Sequence, residues 1–288
     1  THAGLQAALD AAAANGSGYD EIRLSEDQVG SFAIDGHSVS IVGGYSDCAD
    51  TSPSGGTVVS GGGLGRVLDI AGSVSSFRTI DLAHLEITGG NTMYGAGLYI
   101  QLKALVTLED TVVSGNVATR SGGGIYIRAE DGAVLTLDQG SAVMSNSAPN
   151  AAYGNGGGIY CSTLVASAVI GLLDGFIYDN EAANDGGGLY LWGCGLTSYS
   201  GGALRGIVGN RAGRGGGVFA NSGALLRFYG GSQHPATLDS NSSTAAYPDP
   251  GWPYGSGARI EGAGTRLELH DSWVLDQSGG CAITALGA

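Results

Sequence analysis

The segment Val112-Val113-Ser114-Gly115-Asn116 is followed, after five residues, by Gly122-Gly123-Gly124-Ile125-Tyr126, and this arrangement recurs along the chain. Each copy places an Asn at the end of a short apolar or β-branched run, then a loop of variable length, then a glycine-rich triplet before an aliphatic residue. In five of the copies an aromatic residue follows the aliphatic one. The Asn residues of successive copies lie 25, 30, 34, 30 and 31 residues apart. A repeat of this length is typical of a stacked solenoid, in which each unit packs only on its neighbours.

Short β-type runs fill the rest of each repeat. Leu105-Val106-Thr107-Leu108 is one of them, and early runs such as Thr57-Val58-Val59 are bounded by Gly, Asp or Ser. Each repeat holds three such runs, which are too short for a sandwich built from hairpins. Three strands per coil, stacked with neighbouring coils about 4.8 Å apart, predict a parallel β-helix of all-β class.

We interpret the regularly recurring Asn and Gly residues as parts of the structural scaffold. An Asn at the same corner of every coil can stack its side-chain amide on the coils above and below, and so satisfy backbone groups at a bend. The glycine triplets let the chain turn where a Cβ would clash or where φ must be positive. The predicted structural amides are Asn91, Asn116, Asn146, Asn180, Asn210 and Asn241.

The first residues have a different pattern. Residues 5–14 are rich in alanine, with Leu5, Leu9 and Ala12 on one face, and Asn15-Gly16 supplies a stop signal. A helix here would cover the open end of the first coil. We therefore predict a capping helix within residues 1–16 and one continuous β-helix over residues 17–288.

Composition narrows the classes of partner and compartment. The 26 acidic and 12 basic residues give a net charge of −14, which disfavours nucleic acid and anionic membranes as partners. No apolar run approaches the roughly 20 residues that span a bilayer, so no membrane insertion by this segment is expected. The start at Thr1 and the even number of cysteines, four, predict an exported chain, either secreted or at the cell surface.

The repeat carries a family resemblance. Its Asn-terminated run followed by Gly-Gly-Gly-Ile-Tyr is similar to the repeats of polymorphic outer-membrane proteins and autotransporter-like passengers, although Gly replaces their Ala and only Phe176 approximates their Phe. The segment Leu5 to Leu24, with Ile41 to Cys48, resembles the opening of right-handed pectin-lyase-like β-helices. Together these resemblances cover about residues 5 to 283. They imply a single right-handed parallel β-helix, which we expect to have about nine coils.

The segments between each Asn and the following glycine triplet must all lie along one edge of such a stack, which we call the lateral strip. Loops on one face of a solenoid are the usual binding face. Aromatic and charged side chains there suit a polysaccharide, whose sugar faces stack on Trp or Tyr. The alternative for the longest loop is a rigid proline segment that lies on its own scaffold. The candidate ligand-binding residues are Tyr153, Tyr247, Asp249, Trp252 and Tyr254.

Catalysis on the same strip is a second hypothesis. Pectate-lyase-like chemistry, by family analogy, would pair an Arg base with carboxylates that hold Ca²⁺, and the candidates are Glu181, Asp185, Arg211 and Arg214. A glycosidase would need two carboxylates, which Glu181 and Asp185 could supply. We favour a simpler interpretation, a rim salt bridge between adjacent coils. No metal site or cofactor is expected, and Ca²⁺ enters only under the lyase hypothesis.

Two cysteines fall near the same corner of adjacent coils. Cys161 directly follows one Gly-Gly-Gly-Ile-Tyr unit, and Cys194 lies four residues beyond Tyr190 of the next. We predict a Cys161–Cys194 disulfide.

The function predicted from these features is that of a secreted or cell-surface module for adhesion or glycan contact, without catalysis. Its expected partner is a polysaccharide or a host or cell-surface glycoconjugate. The alternatives are a polysaccharide lyase or glycoside hydrolase acting in a lateral groove, and a purely structural stalk.

Overall fold

A computed structural model describes residues 4–16, 18–47, 49–163, 169–199, 205–230, 236–244, 255–270, 272–275 and 282–286. Over these residues the chain forms a right-handed parallel β-helix behind one N-terminal helix, Leu5–Ala14, and this confirms the predicted fold class. Three nine-stranded parallel sheets account for the predicted three strands per coil and nine coils. A fourth sheet of six short strands accompanies them.

The chain passes through the sheets in the order sheet 1, sheet 2, sheet 3, sheet 4 before it begins the next coil. Sheet 1 consists of Tyr19–Arg23, Ser38–Val42, Arg78–Ala83, Ala104–Glu109, Val134–Asp138, Val169–Leu172, Gly195–Tyr199, Leu225–Tyr229 and Arg266–His270. Sheet 2 consists of Gln28–Val29, Thr57–Ser60, Leu85–Thr88, Val112–Ser114, Ser141–Met144, Gly175–Tyr178, Arg205–Val208, Ala236–Asp239 and Trp273–Leu275. Sheet 3 consists of Asn91–Tyr94, Val117–Ser121, Ser147–Ala148, Glu181–Ala182, Arg211–Ala212 and Ser242–Ser243. Sheet 4 consists of Phe32–Asp35, Leu68–Ala71, Leu98–Gln101, Ile125–Arg128, Ile159–Ser162, Leu189–Trp192, Val218–Asn221, Ala258–Glu261 and Ile283–Leu286.

Sheet 3 is the part of the coil that the sequence pattern does not show. Its strands occupy the start of the segments that follow each Asn, which were expected to be loops throughout. Most are only two residues long, so they carry no readable alternation of polar and apolar residues. They form because the Asn corner holds the first residue of each segment in register with the coil below, as in the pairing of Val117 with Ser147.

The core is a set of apolar ladders running the length of the stack. In sheet 4, Leu98 lies opposite Leu68 and Ile125, and Ile100 lies opposite Ile70 and Ile127. These side chains are almost fully buried. Each one contributes about 1.5–3 kcal/mol through removal of its surface from water. The alternation puts the residues between them on the outer face of the sheet.

The Asn corner lies between sheets 2 and 3, and its amides form a buried ladder. The Oδ1 atom of Asn180 accepts hydrogen bonds from the backbone N–H of Asn146 at 3.0 Å and from its Nδ2 at 3.1 Å. The Nδ2 atom of Asn180 donates to the Val143 carbonyl at 2.9 Å and to Oδ1 of Asn210 at 3.0 Å. The same pattern joins Asn116, Asn146, Asn180, Asn210 and Asn241, all nearly or fully buried.

Asn91 is not part of this ladder, so that prediction is wrong. Asn91 pairs with Val117, one residue past the corner, and its side chain is exposed. Gly90 occupies the corner instead, and its N–H donates to Oδ1 of Asn116 at 2.8 Å. In this first copy the chain turns one residue earlier, at Gly89 with φ 66°. The row of amides therefore begins at Asn116.

Glycine is required at the first and third positions of the triplet for two separate physical reasons. Gly122 has φ 68°, a left-handed conformation that side chains disfavour. A Cβ on Gly124 would lie 2.9 Å from Nδ2 of Asn146 in the next coil. The third glycine therefore leaves room for the corner amide, and the two halves of the repeated motif form one packing unit.

The N-terminal helix covers the first coil, as predicted. Leu5, Leu9 and Ala12 are buried against the core. The side-chain amide of Gln6 pairs with the backbone of Ala33 at the edge of sheet 4, where a neighbouring strand would otherwise pair. Its Oε1 accepts a hydrogen bond from the Ala33 N–H at 2.8 Å, and its Nε2 donates to the Ala33 carbonyl at 3.2 Å. An exposed edge of parallel strand is thereby closed to other chains.

The two cysteines predicted to pair are joined by a disulfide in the structure. Cys161 and Cys194 are both fully buried, with Cα atoms 6.1 Å apart. Cys161 lies in sheet 4 opposite Leu191, and Cys194 follows the turn at Gly193 that ends the next coil's strand. The bond therefore links two adjacent coils from inside the core.

Replacement of a ladder Asn should destabilise the fold far more than replacement of Asn91. Asn180→Ala leaves the Asn146 N–H and the Val143 carbonyl buried without their partner, so we expect a loss of about 3 kcal/mol in the free energy of unfolding. Asn91→Ala is the matched control and should change it by less than about 0.5 kcal/mol. Urea denaturation of both variants measures this. Equal effects of the two substitutions would contradict the ladder's role.

Candidate functional site

The lateral strip is a real surface of the molecule, made by sheet 3 and the turns that lead from it into sheet 4. Parallel bridges join Ser121, Asn155, Asp185 and Arg214 in sequence from coil to coil. Glu181 pairs with Arg211 one coil further along. The candidate residues Tyr153, Glu181, Asp185, Arg211 and Arg214 therefore lie on one edge. Tyr247, Asp249, Trp252 and Tyr254 lie outside the described residues.

Tyr153 is held at the surface by its own loop. Oδ1 of Asn150 accepts hydrogen bonds from the N–H groups of Ala152 at 2.9 Å and of Tyr153 at 3.1 Å. The Tyr153 carbonyl accepts a bond from the Ser121 hydroxyl of the preceding coil at 3.1 Å. This small Asn-stabilised turn presents the ring outward, where its side chain is 56% exposed.

Asp185 and Arg214 form a two-point ion pair between adjacent coils. Nε of Arg214 lies 2.6 Å from one carboxylate oxygen of Asp185, and Nη2 lies 2.6 Å from the other. Asp185 is 4% exposed. Burial raises the pKa of the Asp185 carboxyl, and the Arg214 guanidinium offsets part of that rise. The pair is therefore a salt bridge between adjacent coils in which the Asp185 side chain is nearly buried and the Arg214 side chain is partly exposed.

Glu181 and Arg211 form a much looser pair on the same two coils. Their nearest atoms, Oε1 and Nε, are 4.0 Å apart, and both side chains are exposed. A surface pair of this kind contributes little to stability. All four residues proposed for catalysis are therefore arranged as inter-coil ion pairs, one buried and one exposed.

A stack of aromatic rings lies beside the strip on the outer face of sheet 4. Tyr99, Tyr126, Tyr160, Tyr190 and Phe219 follow one another with ring centroids 4.8 to 5.2 Å apart and planes within 14° of parallel. Each ring therefore covers a face of its neighbour, so the faces inside the stack are closed to a ligand, and Tyr160 and Phe219 are buried as well. Burial raises the pKa of the Tyr126, Tyr160 and Tyr190 hydroxyls, so they stay protonated donors.

A second group of aromatic residues surrounds Arg120 of sheet 3, and of its members only Tyr153 was predicted from the sequence as a ligand contact. Tyr94 and Tyr153 flank the guanidinium of Arg120, which is 5.8 Å and 5.0 Å from the two ring centroids. Met93, on the strand of Tyr94, and Val117, on the strand of Arg120, are also exposed. We call these five residues the Arg120 cluster. Tyr94 precedes the first glycine triplet as Ser121 precedes the second, and that shared position was the available signal.

A groove lies on a different corner, between sheets 1 and 2 near the N-terminal end. Its volume is about 570 Å³, and its lining includes residues 53–58, His84, Glu86 and Asp110. Nδ1 of His84 is 2.8 Å from a carboxylate oxygen of Asp110. Sequence analysis did not predict this pair. The 26-residue separation, which is one coil, was the signal for the pair.

Comparison with known proteins identifies one repeat of the scaffold. Residues 110–128 match the family described as Chlamydia polymorphic membrane protein (Chlamydia_PMP) repeat. The matched segment contains the corner Asn116 and the triplet Gly122 to Gly124. The similarity therefore concerns one repeat unit, 110–128, and supports the repeat architecture of the chain. No curated protein and no solved structure shows significant similarity to the chain.

Two further features of the described residues concern membranes and metal ions. None of their helices has both the length and the hydrophobicity required to cross a bilayer. Their His, Cys, Asp and Glu side chains include no group of three or more in an arrangement that could hold a metal ion.

Replacement of each strip arginine in turn should distinguish the buried ion pair from the exposed one by the loss in unfolding free energy. Arg214→Ala leaves the Asp185 carboxylate buried without its counterion, so we expect a loss of about 3–5 kcal/mol in unfolding free energy at pH 7. Arg211→Ala, the control, should cost less than about 0.5 kcal/mol. Chemical denaturation provides both values.

The loss in Arg214→Ala should also depend on pH. A folded-state pKa above the unfolded value means that the folded chain binds the Asp185 proton more tightly, so this group favours folding at low pH and disfavours it as pH rises. The difference from wild type should shrink as pH falls toward about 4, the ordinary Asp range. A difference that is equal at neutral and acidic pH would show that Asp185 is not the cause.

Proposed function

We propose that this protein is a surface-exposed β-helix module that binds glycan chains along the lateral strip and acts in adhesion, without catalysing a reaction. The observation that carries the proposal is the Arg120 cluster. It displays a tyrosine, a methionine, a valine and a guanidinium on two adjacent strands of sheet 3, with a second tyrosine on the turn of the next coil. Tyr, Met and Arg are the residues enriched in binding surfaces.

The physical properties of this surface suit sugars. Tyrosine rings offer an apolar face for the C–H side of a sugar and a hydroxyl for its polar side. The rings are already oriented by the Asn150 turn and by the Arg120 contacts, so little side-chain entropy is lost on binding. The repeat similarity to surface-associated proteins supports a glycan of a surface as the partner, either a polysaccharide or a glycoconjugate.

The geometry gives less support to the lyase and hydrolase alternatives on the strip. A lyase needs an arginine that can act as a base. Arg214 holds Asp185 through two short bonds, and Arg211 faces Glu181. A hydrolase needs two carboxylates that can reach the substrate, and Asp185 is nearly buried. The stalk alternative predicts that no glycan binds at all.

A glycan array with two tyrosine variants tests the proposal. Wild type should retain a defined set of glycans, and Tyr153→Ala should lose about tenfold or more in affinity because a stacking face is removed. Tyr199→Ala is the matched control, since Tyr199 is 47% exposed but lies on sheet 1, stacked on Tyr229. Both variants should melt within a few degrees of wild type.

The two possible negative results have different meanings. If wild type retains no glycan, the proposal is wrong and the stalk alternative is favoured. If Tyr199→Ala weakens binding as much as Tyr153→Ala, the glycan is bound elsewhere on the molecule.

A further inference from the structure

Arg120 differs from most arginines of this chain in what it contacts. Seven arginines lie within 4.0 Å of a carboxylate oxygen, and these are Arg23, Arg66, Arg128, Arg211, Arg214, Arg227 and Arg259. Among the described residues Arg120 has no carboxylate at that distance. Its Nη1 donates instead to the Tyr94 hydroxyl at 2.9 Å, and the rings of Tyr94 and Tyr153 flank it.

This arrangement orients the guanidinium without neutralising it. The bond from Nη1 and the two ring contacts fix the plane of the group. No carboxylate or carbonyl of the described residues accepts a bond from its Nε or Nη2. These are the same two atoms with which Arg214, three coils further along, holds both oxygens of Asp185. Arg120 therefore has the edge that a carboxylate normally occupies, and no carboxylate of the described residues lies on it.

We propose that Arg120, with Tyr94 and Tyr153, binds the carboxylate of an acidic sugar residue in the glycan. The carboxylate would take the Nε and Nη2 edge, and the exposed ring of Tyr153 would contact the sugar beside it. This inference rests on the proposed function, because it assigns the ligand chemistry of the same strip. It makes Arg120 the anchor for acidic glycans and the tyrosines the surface against which they lie.

The charge of the whole chain limits which acidic glycans fit. A net charge of −14 repels a chain that carries a carboxylate or sulfate on every residue. A glycan with one carboxylate at its end meets that repulsion once and gains the two-point contact with Arg120. The favoured ligand is therefore a mostly neutral glycan that ends in a single uronic acid or sialic acid.

Calorimetric titration with matched sugars tests the assignment. One oligosaccharide ends in a hexuronic acid and a second ends in a sialic acid, and each is compared with the same compound after reduction of the carboxyl group to CH₂OH. With wild type, reduction should weaken binding of at least one of the two by about tenfold or more, because a charge-assisted contact is lost. The oligosaccharide whose binding is weakened by reduction identifies which of the two acids the protein recognises.

Three variants locate the effect. Arg120→Ala should bind the acid and its reduced form equally, and Arg120→Lys should recover only part of the difference because lysine lacks the two-point fork. Arg128→Ala is the control: it removes the same charge from the same coil, where Arg128 pairs with Glu130, and it should keep the full preference. Melting temperatures of all variants establish that each is folded.

The outcomes separate this inference from the function beneath it. If glycans are retained on the array but acid and reduced forms bind wild type equally, the role of Arg120 is wrong while glycan binding stands. If Arg128→Ala loses the preference as fully as Arg120→Ala, general electrostatics replaces the specific contact. If no glycan binds wild type in any assay, both proposals are wrong.

Discussion

The buried row of corner amides is the interaction on which the rest of this structure depends. Each coil bends sharply between sheets 2 and 3, and the bend removes backbone N–H and carbonyl groups from the regular ladder. Leaving one such group buried and unpaired costs about 1–3 kcal/mol. An Asn side chain can donate and accept at once, so Asn116 to Asn241 pass the same set of bonds from coil to coil. In the five triplets that end at Gly97, Gly124, Gly158, Gly188 and Gly217, the third glycine leaves room for an amide of that row.

The sequence predicted this scaffold well because the scaffold is periodic. Three of the four sheets and five of the six corner amides followed from the repeat, and the capping helix followed from the apolar face of residues 5–14. Asn91 failed because a residue type at the right spacing does not define the turn: the bend there falls at Gly89-Gly90, one residue earlier. Sheet 3 was missed because strands of two residues have no alternation to read.

The candidate site was harder to predict, since its contacts join residues one coil apart at positions without a shared motif. Arg120 meets Tyr94 across 26 residues and Tyr153 across 33. His84 meets Asp110 in the same manner. Paired residues of adjacent coils lie as few as 19 positions apart, as Tyr19 and Ser38 do, and as many as 41, as Val39 and Ile80 do, so the spacing alone does not say which side chains become neighbours. Only the register at the Asn corner and the glycine triplet, taken together, supplies that information.

The segments of the lateral strip can vary in length because each is fixed only at its two ends. The Asn corner fixes one end of each segment and the glycine triplet fixes the other, so extra residues such as those around Tyr153 lengthen only a closed surface loop. Doubling such a loop costs only about 0.6 kcal/mol in closure entropy. A residue inserted into sheet 1, 2 or 4 would instead move every following side chain to the opposite face and expose part of the apolar core. Length variation on the strip is therefore energetically tolerable where it is costly elsewhere, and the surface that carries the Arg120 cluster can change without loss of the scaffold.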